Sequence, residues 1–161
     1  MKVTVGDEAP GFRLEDQDGR SWSLEEHRGG PVVLYFFPKA DTPGCTTQAC
    51  DVRDHWSDFT DLGAQVVGIS PDTAARMNRF AAKYDLPHRL LGDPDRTVID
   101  AYGAWGAKTV RGQRADGVLR SSVVVDGDGK VAAVFDTIQA KQQSERALTA
   151  VRELTGPPST S

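Results

Sequence analysis

Cysteine is scarce: among 161 residues there are two, Cys45 and Cys50. One pair cannot build the dense disulfide framework of a small secreted scaffold. Long apolar runs are absent. The longest, Val32-Val33-Leu34-Tyr35-Phe36-Phe37, has strand length, so no membrane-spanning helix is expected. No block of Lys and Arg occurs, and the net charge is −4, which gives nucleic acid nothing to bind. Met1 to Asp7 lacks the apolar core of a secretory signal, so a cytoplasmic location is expected. In a reducing compartment, two cysteines point to catalysis, redox sensing or metal binding rather than to a structural bridge.

The pattern along the chain reads as one domain over residues 1–156, with a loose tail at 157–161. Phe12 to Glu15 and Ser21 to Leu24, joined by Asp16-Gln17-Asp18-Gly19, predict a hairpin. The run Val32 to Phe37 shows no polar alternation, so it predicts a strand buried on both faces. Cys45, Ala49, Val52, Trp56 and Phe59 are spaced as one helical stripe, which Leu62-Gly63 ends. Gln65 to Ile69 predicts a second buried strand, and Ser70-Pro71-Asp72 the start of a helix. Arg89 to Leu91 reads as a short strand, followed by a weaker helix through Val98, Ile99 and Tyr102.

Gly103 to Gly117 reads as a loop. Leu119 to Val125 and Val131 to Phe135 form a hairpin about Asp126-Gly127-Asp128-Gly129, which lacks the remainder of a calcium loop. Ser144 is expected to cap a final helix through Leu148, Val151 and Leu154. Alternating strands and helices, closed by a hairpin and a helix, predict an α/β protein. The expected fold is thioredoxin-like: a central mixed sheet flanked by helices, with an N-terminal β-hairpin extension.

The segment Pro38 to Cys50 carries the chemistry. Thr42 is placed as a helix N-cap, and Pro43 as the first helical residue. Cys45 then lies in the first turn, where unpaired N–H groups and the helix dipole favour thiolate, the reactive form. Cys45 also falls on the apolar stripe, where a plain core cysteine would fall. Along an α-helix Cys50 is turned by about 140° and raised by about 7.5 Å from Cys45. The two Cα atoms are then roughly 8.6 Å apart, beyond the ~7 Å reach of a disulfide. Cys50 is therefore expected to face away from Cys45, and a bond between them requires the first turns to unwind. A zinc site of Cys45, Cys50, His55 and His27 fits no common ligand spacing. The five-residue step is also wider than the Cys-x-x-Cys of dithiol exchange proteins.

Pro38-x-x-x-Thr42-x-x-Cys45 resembles the active-site signature of the peroxiredoxins. Phe37-Pro38-Lys39, Thr42 to Thr46, Ala49-Cys50 and Arg53-Asp54 are similar to the Q-type subgroup, also called bacterioferritin comigratory protein. Gly6-Asp7-x-Ala9-Pro10-x-Phe12, Val67 to Ser70, Tyr102 to Gly106 and Arg120 to Lys130 extend the likeness along the chain. Gln48 stands where many members outside the subgroup have Glu, and Ala40 where the subgroup often has an acid.

The resemblance implies a thiol-dependent peroxidase acting on hydrogen peroxide and organic hydroperoxides. It makes Cys45 the peroxidatic cysteine and Cys50 the resolving one, joined in turnover by a disulfide within one chain. It makes Thr42 a hydroxyl partner, Pro38 a shield of the pocket and Arg120 the cationic partner. It further implies no metal or other cofactor, recycling by thioredoxin or a similar dithiol protein, and a monomer, with a dimer as the alternative. A protein disulfide oxidoreductase and a non-enzymatic redox sensor are the competing readings of the same cysteines.

Overall fold

Six consecutive apolar residues cannot show one strand face to water, so layers must cover both sides of whatever sheet contains them. A computed structural model describes residues 1–110, 112–136 and 138–155. In chain order its elements are β1 (Arg13–Asp16), β2 (Ser21–Ser23), β3 (Val32–Phe36), α1 (Pro43–Asp54), α2 (Trp56–Asp61), β4 (Gln65–Ser70), α3 (Ala74–Tyr84), β5 (Arg89–Gly92), α4 (Thr97–Tyr102), β6 (Trp105–Val110), β7 (Gln113–Val118), β8 (Ser121–Val125), β9 (Val131–Phe135) and α5 (Gln143–Thr155).

A seven-stranded mixed sheet runs β2-β1-β5-β4-β3-β8-β9. β3 lies parallel to β4 and antiparallel to β8. The period of two divides β3 between two cores. Val33, Tyr35 and Phe37 join the cluster that holds Cys45, Ala49, Val52, Phe59, Phe80 and Leu148. Val32, Leu34 and Phe36 join the opposite cluster, with Ile69, Ile99, Tyr102 and Val118. Helices α1, α3 and α5 cover the first face. The second is covered by α4, the N-terminal segment and residues around the β6–β7 hairpin. The thioredoxin-like arrangement of mixed sheet and flanking helices is the one expected.

Four local features differ from the sequence pattern. The N-terminal hairpin does not merely lie over the core: Glu15 and Asp16 pair with Gly92 and Leu91, so β1 and β2 extend the main sheet. The helical stripe from Cys45 to Phe59 is broken at His55. That residue leaves helical geometry (φ −107°, ψ 13°), and its Nδ1 lies 2.8 Å from the Asp51 carbonyl oxygen, competing with the backbone ladder. The segment Gly103–Gly117 contains most of a two-stranded ribbon, with Trp105 opposite Val118 and Gly106 opposite Gly117. Its glycines and charges concealed that pairing, because strand propensity is weak against context. Ser144 is the second residue of α5 rather than its cap. The tail at 157–161 lies outside the described residues.

Beneath α1, Tyr35 crosses over Gly68, where an added Cβ would meet the tyrosine hydroxyl at 2.7 Å. The hydroxyl reaches His88 Nε2 at 2.7 Å, with both side chains fully enclosed. Nδ1 of His88 has no partner among the described residues. Burial pushes the His88 pKa down to about 3, with the neighbouring Arg89 charge contributing in the same sense. The unfolded chain therefore binds a proton at pH values where the folded chain does not, and stability is lost as pH falls below about 6.5. The loss is at most about 1.4 kcal/mol per pH unit from this residue. Thermal denaturation from pH 7 to 4 should show a falling midpoint, and His88→Gln should flatten the dependence; an equally steep fall in that variant would exclude His88 as its source.

Candidate active site

The site forms where β3 ends and α1 begins. Phe37 N–H still bonds the Ile69 carbonyl at 3.0 Å, and Pro38 follows half-buried, with no N–H to extend the ladder. The loop is then tied to α3 and its approach. Ala40 N–H donates to Asp72 Oδ2 at 2.7 Å, and the same oxygen accepts from Ser70 Oγ at 2.7 Å. Asp41 takes a left-handed φ of 61°. Its carboxylate accepts from Lys83 Nζ at 2.9 Å and Tyr84 Oη at 2.8 Å. Those donors, Lys83 first, hold the Asp41 carboxyl below the usual carboxylate range.

Thr42 occupies the N-cap with extended backbone, as expected, and Pro43 is the first helical residue. The Thr42 hydroxyl, however, makes no capping bond. It donates to the Lys39 carbonyl at 2.8 Å, across the loop. Thr46 N–H bonds the Thr42 carbonyl at 2.8 Å, which leaves the Gly44 and Cys45 N–H groups ahead of the helical ladder.

Cys45 is 1% exposed, on the inward face shared by Gln48, Ala49 and Val52. Arg120, at the entry to β8, places Nη1 and Nη2 each 3.6 Å from Cys45 Sγ. Nη1 also donates to Gln48 Oε1 at 2.7 Å. Two guanidinium nitrogens therefore point at one sulfur, a geometry that a lysine cannot reproduce. Gly44 makes the approach possible, because a Cβ there would lie 2.8 Å from Arg120 Nη2. The space that glycine leaves at the helix start is used by the arginine.

Both cysteines are free thiols. They share one continuous helix, so the roughly 8.6 Å separation from helical geometry applies. Cys50 does not face away as the turn angle suggested: it is half-buried and packs against the same cluster that encloses Cys45. That cluster wraps far enough round α1 to cover the flank on which Cys50 sits. Next to it, Asp51 Oδ2 accepts from the Ser144 N–H at 2.8 Å, fastening α1 to the start of α5.

Arg120 thus meets Cys45 at the loop–helix junction that also carries Pro38 and Thr42, with Cys50 about 1.4 turns along the helix. Sequence reasoning noted Gln48 without a role. The only available signal was a polar residue at helical spacing from Cys45, which does not reveal that Arg120 would meet it. Among the described residues, no three His, Cys, Asp or Glu side chains gather as metal ligands, and no helix is long and apolar enough to cross a membrane.

Residues 5–134 match the AhpC/TSA family. A putative peroxiredoxin of Mycobacterium tuberculosis is 48% identical over 139 residues, which cover 86% of this chain and 88% of the relative. Peroxiredoxin Bcp of Escherichia coli is 42% identical over 151 residues, 94% of this chain and 97% of that protein. Among solved structures, a bacterioferritin comigratory protein of Xanthomonas campestris, described for alkyl peroxide reduction, superposes with a TM-score of 0.86 at 25% identity. It covers 94% of this chain and 99% of that one.

Arg120→Met should slow alkylation of Cys45 by iodoacetamide about tenfold near neutral pH, since a charge-assisted bond to the thiolate is lost. Gly44→Ala, which crowds the guanidinium, should give a smaller loss in the same direction. Unchanged alkylation in both variants would remove Arg120 from the activation of the sulfur.

Proposed function

The chain belongs to the AhpC/TSA family and is a peroxiredoxin, a thiol-dependent peroxidase, and on that premise we propose that Cys45 is the nucleophile and Cys50 its resolving partner. The observation that carries this reading is the Arg120 guanidinium, with two nitrogens 3.6 Å from Cys45 Sγ at the start of α1.

The first step is attack of the Cys45 thiolate on one oxygen of the peroxide. An S–O bond forms and the O–O bond breaks. The sulfur becomes a sulfenic acid, and the departing oxygen takes a proton and leaves as water or an alcohol. Negative charge moves from sulfur to that oxygen during the step. Arg120, 3.6 Å from the sulfur, and the first-turn N–H groups of Gly44 and Cys45 are the donors that would stabilise that charge. Thr42 has already committed its proton to the Lys39 carbonyl, so its oxygen is available to accept the O–H of the peroxide. Pro38, half-buried in the loop before α1, is taken as the residue that shields the pocket from water. Organic hydroperoxides are included as substrates on the strength of the alkyl peroxide reduction described for the Xanthomonas campestris relative.

The second step joins Cys50 to the sulfenic sulfur, forming the disulfide and releasing water. Within the intact helix the Cα atoms stand roughly 8.6 Å apart, so α1 must open first. Opening breaks the Asp51–Ser144 bond and exposes part of the cluster around Cys50. A thioredoxin-like dithiol protein then attacks the disulfide and returns both thiols, taking the oxidising equivalents onto its own cysteines. The assembly expected for this activity is a monomer in the cytoplasm, with the whole cycle carried by one chain.

Cys45→Ser should abolish peroxide consumption, and retained turnover would refute the assignment. Cys50→Ser should be oxidised once and then stall in a thioredoxin-coupled assay. Intact mass after one equivalent of peroxide should show the loss of two hydrogens in the wild type. A sulfenic acid that persists in the wild type would contradict the role of Cys50.

A further inference from the structure

Arg120 is held in place by Gln48, and Gln48 is in turn held by a residue 95 positions further along the chain. Gln143, the first residue of α5, is fully buried, as are Gln48 and Ser122. The polarity of this chain of side chains can be followed from the arginine outward. A guanidinium only donates, so the Gln48 atom that meets Arg120 Nη1 at 2.7 Å is the amide oxygen. Gln48 Nε2 must therefore point the other way, and it donates to Gln143 Oε1 at 2.8 Å. Ser122 Oγ donates to the same oxygen, also at 2.8 Å. Reversing the Gln143 amide would set its NH2 against that of Gln48, donor against donor.

The consequence is visible on the far side of that amide. Gln143 Nε2 is buried with no partner among the described residues. A glutamine kept only to pack α5 on the sheet would gain by satisfying its donors, because an unpaired buried amide is costly. This one leaves its donor unpaired while its oxygen receives two bonds, both from residues linked to the site. Ser122, the second residue of β8, lies two residues after Arg120, which immediately precedes that strand.

We infer that Gln143 is a positioning residue for the peroxidase reaction, acting through Gln48 to hold the Arg120 guanidinium on Cys45 Sγ, with Ser122 fixing the Gln143 amide. The inference rests on the reading of Cys45 and Arg120 given above. Without the Gln143 oxygen, the Gln48 amide is free to rotate. Arg120 then keeps its contact with sulfur but loses the anchor that aims both nitrogens at it. The last helix of the fold thus sets the geometry of the first step.

The test follows Cys45 oxidation by hydrogen peroxide in rapid-mixing experiments across pH, with the melting temperature of every variant as a control. Gln143→Met preserves length and removes the amide. It should slow oxidation several-fold, up to about tenfold, the value of one neutral hydrogen bond, and move the rise of the rate toward higher pH. Ser122→Ala, a smaller change, should shift both quantities in the same direction and by less. In a Gln48→Met background, Gln143→Met should add no further loss, because the link is already cut. A role confined to packing predicts the opposite: lower melting temperature, an unmoved pH profile and losses that multiply in the double variant. Either that pattern, or wild-type rates and pH dependence in folded Gln143→Met, overturns the inference. If Gln143→Met does not fold, a wild-type pH profile in Ser122→Ala overturns it. A wild-type protein without Cys45-dependent peroxide consumption overturns the reading of the site and this inference with it, whereas failure confined to the variants removes the positioning role alone.

Discussion

The fork of Arg120 is the contact on which the site depends. At 1% exposure the Cys45 sulfur has almost no contact with water. Two guanidinium nitrogens at 3.6 Å replace part of the lost solvation with fixed donors. The arginine reaches the sulfur from the residue that precedes β8, while the sulfur itself is carried by α1, so the contact exists only when sheet and helix are packed together. Gly44 clears its path, and Gln48 takes up the guanidinium from the side. No single element of the fold contains the reactive unit.

The same packing opposes the second step of the proposed cycle. A helix that keeps Cys45 and Cys50 apart must open for them to meet, yet α1 is fastened along its inner face. Gln48 is bound to Gln143, and Asp51 accepts from the Ser144 backbone, both at the start of α5. Cys50 adds apolar contact with the core cluster. In the proposed cycle, the Gln48–Gln143 bond that steadies Arg120 is one of those that unwinding has to release. The residues bound by α5 are three apart on α1, one turn of the inward face, so they are loosened together when that turn unwinds.

Much of this was legible in the residues because the relevant signals are local. The uninterrupted apolar run Val32–Phe37 marked the central strand, and Pro43 after Thr42 marked the helix start that follows it. The spacing of the cysteines placed them on one helix beyond bonding distance. The break at His55 was hidden, because it comes from a side chain competing for the Asp51 carbonyl, which apolar spacing does not register. The β6–β7 ribbon was hidden as well. Its glycines and charges lower strand propensity, and they mask a local hairpin whose strands run from Trp105 to Val118. Cys50 was misplaced for a related reason: a helical wheel gives a direction but not how far the neighbouring core extends around the helix.

The sequence alone determined the central strand, the start of the helix that follows it and the placement of both cysteines on that helix beyond disulfide reach, since those follow from periodicity and the fixed rise and turn of an α-helix. Arg120 could be named from family likeness, but not from its own surroundings in the chain. Only the tertiary structure decided that Arg120 meets Gln48, that Gln48 meets Gln143, and that Asp51 meets Ser144. These contacts join residues 72 to 95 positions apart. Hydrogen bonds of that span are fixed by how two helices and a strand pack, and that packing is a property of the whole core rather than of any one segment.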